Sequence, residues 1–307
     1  MTVTILIVTA AALGAFFWQK DSADAPVIIS TDTDGISVVA TFYPLAEFAR
    51  AAGGDMVTVK SIVPAGSEPH DYEPSPRDIL AVYQADIFLS NGAGADAWAE
   101  KIRPDLEERD ITVVRMSDVV ETLSKIRDEQ GVVDPHFWID PVLAQQEVSA
   151  IRDVLIARDP MRAEAYVQNA TLYIEELKIL DTAYRDGLRQ CELHTIVTSH
   201  DAFAYLAKRY GFETLSVSGI SPEAEPSSRT LAEIAETVRT LGLRHIFFET
   251  LVSPKVAQTL ADEVGAETLV FNPLEGLTDE ERQAGKNYLS IMRDNLNNLQ
   301  TALRCQQ

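Results

Sequence analysis

Residues 194–219, HTIVTSHDAFAYLAKRYGFETLSVSG, read as a strand, an amphipathic helix and a second strand. The β-branched run TIVTS gives way to the apolar-periodic stretch DAFAYLAKRYG, and ETLSVSG returns to strand composition. Outward from this unit the same alternation fills the second half, where HIFFET and ETLVFN are strands and TLAEIAETVRTLG and PKVAQTLADEVG are helices, before a final helix from about 278 to 304. In the first half ISVVATF, VTVKSIV, ADIFLSN and ITVVRM alternate with the helical patterns PLAEFARAAG, PRDILAVYQA and DAWAEKIRPDLEER. Such alternation predicts an α/β fold with mainly parallel sheets covered by helices on both faces.

Between the halves, after Asp159-Pro160, the stretch MRAEAYVQNATLYIEELKILDTAYRDGLRQ runs about 28 residues to Gly187 without a breaker. As a helix it would be roughly 40 Å long, enough to brace two lobes side by side as a stiff connection with little domain motion. The expected organisation is an N-terminal segment and tether at 1–35, an α/β lobe at 36–160, a linking helix at 161–189 and a second α/β lobe at 190–307. At 307 residues, 46% apolar and 24% charged, the chain can give each lobe its own core. A net charge of −21 excludes a nucleic-acid partner, which needs a basic face.

Four residues at near-even intervals stand out as metal-ligand candidates: His70, His136, His200 and Glu275. His70 lies in PAGSEPHDYEPSPRD, where prolines and a glycine forbid regular structure. His136 lies between breakers in GVVDPHFWIDP, and His200 stands where TIVTS passes into its helix. Glu275 follows the β-branched run of AETLVFNPLEGLTDEE, before acids that suit a helix start near Thr278. Ligands of open α/β sheets bind beyond the carboxyl ends of strands, where these loops converge. Nearby acids Asp71, Asp134 and Asp201 are expected to orient the rings. His194 and His245 directly precede strands and need no ligand role. Glu249, ending HIFFE, reads as a structural acid, with support of the metal site as the alternative.

Residues 2–18, TVTILIVTAAALGAFFW, form an uncharged apolar stretch that directs export. Ala23-x-Ala25 offers a cleavage site, but no basic residue precedes the apolar run, so an uncleaved membrane anchor is the alternative. No cysteine lies near residue 25, which argues against a lipid anchor. The chain's two cysteines, Cys191 and Cys305, are expected to pair in an oxidising compartment and fasten the last helix to its own lobe, two free thiols being the alternative.

Over residues 36–307 the chain resembles the zinc and manganese substrate-binding proteins of ABC importers, the cluster A-I family. The matching segments include ATFYPLAEFARAAGGD, VPAGSEPHDYEPSPRD, ADIFLSNGAG, DPHFWIDP, IVTSHDAFAYLAKRYG, SGISPEAEPSSRTLAEI, FFETLVSPKVAQTLADEVGAETLVFNPLEGLTDEE and KNYLSIMRDNLNNL. The resemblance implies two α/β lobes joined by one backbone helix, with a metal held between them by one ligand from each of four loops. By motif those ligands map onto His70, His136, His200 and Glu275. It also implies a monomer working with an integral-membrane ABC permease in the periplasm or at the cell surface.

Three imidazoles and one carboxylate suit four-coordinate Zn²⁺ better than Mn²⁺, which prefers more oxygen donors. The resemblance agrees, since manganese-selective relatives carry a carboxylate where His200 stands. Two departures from the family pattern are visible. SKIRDEQGVVDPH lacks the extra histidines of a metal-scavenging loop, and the fourth ligand is Glu275 where relatives often have Asp. The expected function is capture of Zn²⁺ and its delivery to a permease, with affinity falling steeply below about pH 6 as the histidines protonate. The alternatives are a manganese- or iron-binding member of the family, an adhesin-like surface protein, and an exported zinc hydrolase with Glu275 as base. No H-E-x-x-H run or nucleophile elbow supports the hydrolase.

Overall fold

The computed structural model describes residues 35–120, 126, 131, 133–222 and 226–306. The expected export segment and tether therefore lie outside the described residues, as does most of the loop preceding His136.

The first half runs β1 (Ile36–Ala40), α1 (Tyr43–Gly53), β2 (Val57–Ser61), α2 (Pro76–Tyr83), β3 (Ile87–Ser90), α3 (Ala97–Glu107), β4 (Thr112–Arg115) and a short α4 (Met116–Val119). The four strands form one parallel sheet in the order β2-β1-β3-β4, with Val38 opposite both Val59 and Ile87. Burial explains the order. Every residue of β3, IFLS, is buried, as a central strand covered on both faces requires, whereas β2 alternates half-buried and exposed along VTVKS, as an edge strand can.

Two helices follow, α5 (Pro141–Arg158) and α6 (Ala163–Gly187). Asp140 caps α5 by accepting from the backbone N–H groups of Val142 and Leu143, with Pro141 in the first turn. The expected long helix is α6, at 25 residues about 37 Å, slightly shorter than its breaker-free stretch because residues 160–162 form a tighter 3-10 turn. It packs on α1 and α5 and on the last helix of the chain. The Tyr184 hydroxyl, fully buried, donates to the carbonyl of Met292 at 2.7 Å.

The second half holds β5 (Thr195–Thr198), α7 (Ala204–Tyr210), β6 (Glu213–Ser216), α8 (Ser228–Leu241), β7 (His245–Phe248), α9 (Lys255–Val264), β8 (Glu267–Val270), α10 (Asp279–Gln283) and α11 (Tyr288–Leu303). Here the strands form two parallel pairs, β5-β6 and β7-β8, with β5 lying beside β7. The single final helix expected from about 278 to 304 is two helices. Gly285 turns left-handed at φ +69°, and Asn287 starts α11 with a capping box to Ser290.

Cys191 and Cys305 are disulfide-bonded, closing a sequence separation of 114 residues. The bond fastens the end of α11 to the chain just before β5, where the N–H of Leu193 also donates to the carbonyl of Leu303.

Candidate metal centre

Each of the four candidate ligands sits on a loop held by its own set of contacts. His70 lies between β2 and α2, on a segment tied down where the N–H of Gly66 donates to the Leu277 carbonyl at 2.8 Å. Its own backbone N–H donates to both carboxylate oxygens of Glu68. His136 immediately precedes a 3-10 turn, residues 137–139, in which the Trp138 indole donates to the Pro273 carbonyl at 2.9 Å and the Trp138 carbonyl accepts from the Tyr288 hydroxyl. His200 comes two residues after β5, its carbonyl accepting from the Thr198 hydroxyl. Glu275 follows β8 within a buried loop. Prolines, turns and strand ends thus place all four at the edges of regular elements.

The structure brings these four together, with their ligand atoms all within 4.8 Å of one another. His136 Nε2 lies 3.1 Å from His70 Nε2, 3.3 Å from His200 Nε2 and 3.3 Å from Glu275 Oε1. Glu275 Oε1 is also 3.1 Å from His70 Nε2 and 3.4 Å from His200 Nε2. A tetrahedral zinc with ligands near 2.05 Å has ligand-to-ligand edges of about 3.3 Å, so these separations suit a first-row cation at the centre. His136, His200 and Glu275 are buried, while His70 keeps slight solvent contact. Glu275 Oε2 is buried without a hydrogen-bond partner among the described residues, leaving an acceptor free for a cation.

Carboxylates behind the rings select the tautomer. His136 Nδ1 lies 2.8 Å from Asp134 and His200 Nδ1 lies 2.7 Å from Glu249, so each ring donates outward and turns its Nε2 lone pair inward. The expectation for Asp134 holds. For His200 the carboxylate on Nδ1 is that of Glu249, from the end of β7, and not of Asp201; the reading of Glu249 as a merely structural acid is corrected. Asp71 is exposed, and the carboxylate on the backbone of its loop is that of Glu68. Its place at the end of the strand HIFFE is the signal that made support of the metal site the alternative for Glu249.

Charge in the cluster follows from these pairs. Burial opposes a charge on His136, but its hydrogen bonds to Asp134 and Glu275 leave its pKa raised. Burial opposes a charge on His200 too, and the carboxylates of Glu249 and Glu275 outweigh it, holding that ring well above the ordinary value. Glu275 itself is pushed up by burial but pulled much further down, well below the usual carboxylate range, by His200 and by hydrogen bonds from the three rings. Protons and a divalent cation therefore compete for the same Nε2 atoms, which present a lone pair inward only when the rings are neutral.

Comparison with known proteins places the whole chain rather than its individual ligands. Residues 38–302 match the family described as zinc-uptake complex component A, periplasmic. The chain is 39% identical over 272 residues to the zinc-binding lipoprotein AdcA of Streptococcus pneumoniae, covering 85% of this chain but 54% of that protein, so it spans about half the length of this relative. It is 36% identical over 281 residues to the high-affinity zinc uptake system protein ZnuA of Bacillus subtilis, covering 88% of each. Among solved structures, the Zn(II)-bound ZnuA-like domain of S. pneumoniae AdcA superposes with a TM-score of 0.78 at 39% identity, over 88% of this chain and 99% of that one. The laminin-binding protein Lmb of Streptococcus agalactiae, titled a bifunctional protein with adhesin and metal-transporting activity, superposes at 0.80 with 36% identity, over 88% and 100% of the two chains.

Proposed function

The chain belongs to the zinc-uptake complex component A family, and from that premise we propose that it is the extracytoplasmic substrate-binding component of a zinc ABC importer. It captures Zn²⁺ and hands it to an integral-membrane permease. The observation that carries this reading is the cluster of three imidazole nitrogens and one carboxylate oxygen, each from a different loop, with carboxylates on the outer nitrogens of two rings. His70, His136, His200 and Glu275 are the proposed zinc ligands. Four protein donors close the coordination sphere, which suits a carrier; a catalytic zinc keeps a position open for water.

The nitrogen-rich donor set favours Zn²⁺ over Mn²⁺ as cargo. The division into lobes 36–160 and 190–307 around the linking helix 161–189 belongs to the same proposal and is supported by α6 packing on helices from both halves. So do a monomeric state, export directed by residues 2–18, and association of that segment with the membrane where it is uncleaved.

The test is native mass spectrometry with elemental analysis of the full chain given equal Zn²⁺ and Mn²⁺, beside His200→Ala and Glu275→Ala. One zinc per chain, weakened in both variants, is the expected outcome. Manganese occupancy, or zinc binding indifferent to both substitutions, would overturn the metal or the ligand assignment.

A further inference from the structure

The loop that carries Glu275 is unusual in being buried throughout: residues 271–277 lie inside the protein without regular secondary structure. Backbone groups removed from water need partners, and a loop has no ladder to provide them. Several come from asparagine side chains. Asn295, in the middle of α11 and 1% exposed, accepts from the N–H of Asn272 at 2.9 Å and donates to the carbonyl of the same residue at 2.7 Å. One turn further along α11, Asn298 ties the helix instead to β8, outside the loop, by donating to the Val270 carbonyl at 2.8 Å.

Asn272 passes the constraint on. Its side-chain oxygen accepts from the N–H of Leu274 at 2.8 Å, and its amide nitrogen donates to the Thr250 hydroxyl and to Glu281. Leu274 adopts φ +61° with its side chain fully buried. A leucine in the left-handed region persists only where its surroundings enforce it. The next residue is Glu275, whose carboxylate completes the cluster. Asparagine is a poor helix former and a buried amide is unfavourable unless satisfied, so Asn295 departs from local preference at a place where the compensation is this two-point clamp.

We propose that Asn295 is a positioning residue for zinc binding. It acts through Asn272 and the left-handed Leu274 to hold Glu275 at the cluster before the ion arrives. The inference rests on Glu275 being a zinc ligand. It differs from a tether of α11 in one respect: its effect on zinc must pass through the Glu275 side chain.

The experiment is a double-mutant cycle on the full chain, with Zn²⁺ affinity read by competition with a chromophoric chelator for Asn295→Ala, Glu275→Ala and the pair. Asn298→Ala serves as a control that loosens the same helix without touching Asn272. Asn295→Asp, isosteric but lacking the donor to the Asn272 carbonyl, carries the test if the alanine variant fails to fold. We expect N295A to weaken zinc about 10- to 100-fold, the range found when groups supporting a metal ligand are removed, and to have no further effect once Glu275 is alanine. N298A should leave affinity unchanged, and the visible spectrum of the Co²⁺-loaded protein should change in N295A alone of these two. Equal loss with and without Glu275, no loss in N295A, or an equal loss in N298A would each overturn the proposal. Full affinity in E275A would instead overturn the ligand assignment on which it stands.

Discussion

Replacing Glu249 by glutamine keeps an oxygen acceptor beside His200 and removes one charge, and the structure fixes what should follow. The carboxylate lies 2.7 Å from His200 Nδ1 and also accepts from the backbone N–H of His200 at 3.1 Å. It is the largest of the influences that hold the His200 proton. Without the charge the imidazole is a weaker donor to zinc, and loss of such support typically weakens metal binding 10- to 100-fold, or about 1.4–2.7 kcal/mol. The same change lowers the His200 pKa, so protons compete less in the variant. The two effects oppose each other only where protons compete. Glu249→Gln should therefore show its full deficit near pH 8 and a smaller one near pH 6. Competition titrations against a zinc-chelating dye at both values measure this, with thermal melts confirming that the variant is folded. Affinity within about twofold of the parent at pH 8 would refute the orienting role, and a deficit that grows as pH falls would refute the charge argument.

The raised pKa of His136 and of His200 implies that zinc binding near pH 6.5 releases protons from these rings, detectable as buffer-dependent heats in calorimetry. In the zinc-free protein the same raised values stabilise the fold below the ordinary histidine pKa, and this contribution is lost as pH rises through the folded values, whereas zinc binding strengthens over that range. Cys191→Ser/Cys305→Ser opens a loop closed across 114 residues; the chain-entropy estimate is about 5 kcal/mol, or about 8 °C in Tm by differential scanning calorimetry. Glu147 is buried on α5 with neither oxygen hydrogen-bonded among the described residues, and burial holds its carboxyl well above the ordinary range. An unfolded glutamate ionises near pH 4.5, so this site makes the folded state less favourable as pH rises above that value. Glu147→Leu should raise Tm by about 2–5 °C at pH 8 and by less at pH 5.

Much of the fold was legible because strand and helix periodicities are local. Proline and glycine placement marked the loops of His70 and His136, and the breaker-free stretch before Gly187 marked α6. The final helix was misread because a left-handed Gly285 and an Asn287 cap break a pattern whose apolar spacing continues across them. For Glu249 the two readings stayed open for a different reason. Its partner is 49 residues away, and only the neighbouring positions of β5 and β7 bring the two together.

Chemistry and local geometry could thus be read from residues alone: an α/β alternation, a linking helix, three loop histidines and a carboxylate suited to zinc, and two cysteines able to pair. The tertiary structure decided which carboxylate stands behind which ring, how close the four donors come, and what holds the loop of Glu275 in place. Those outcomes depend on which side chains meet after the strands have paired and α11 has packed against β8, and contacts between residues distant in the chain leave no periodic trace in it.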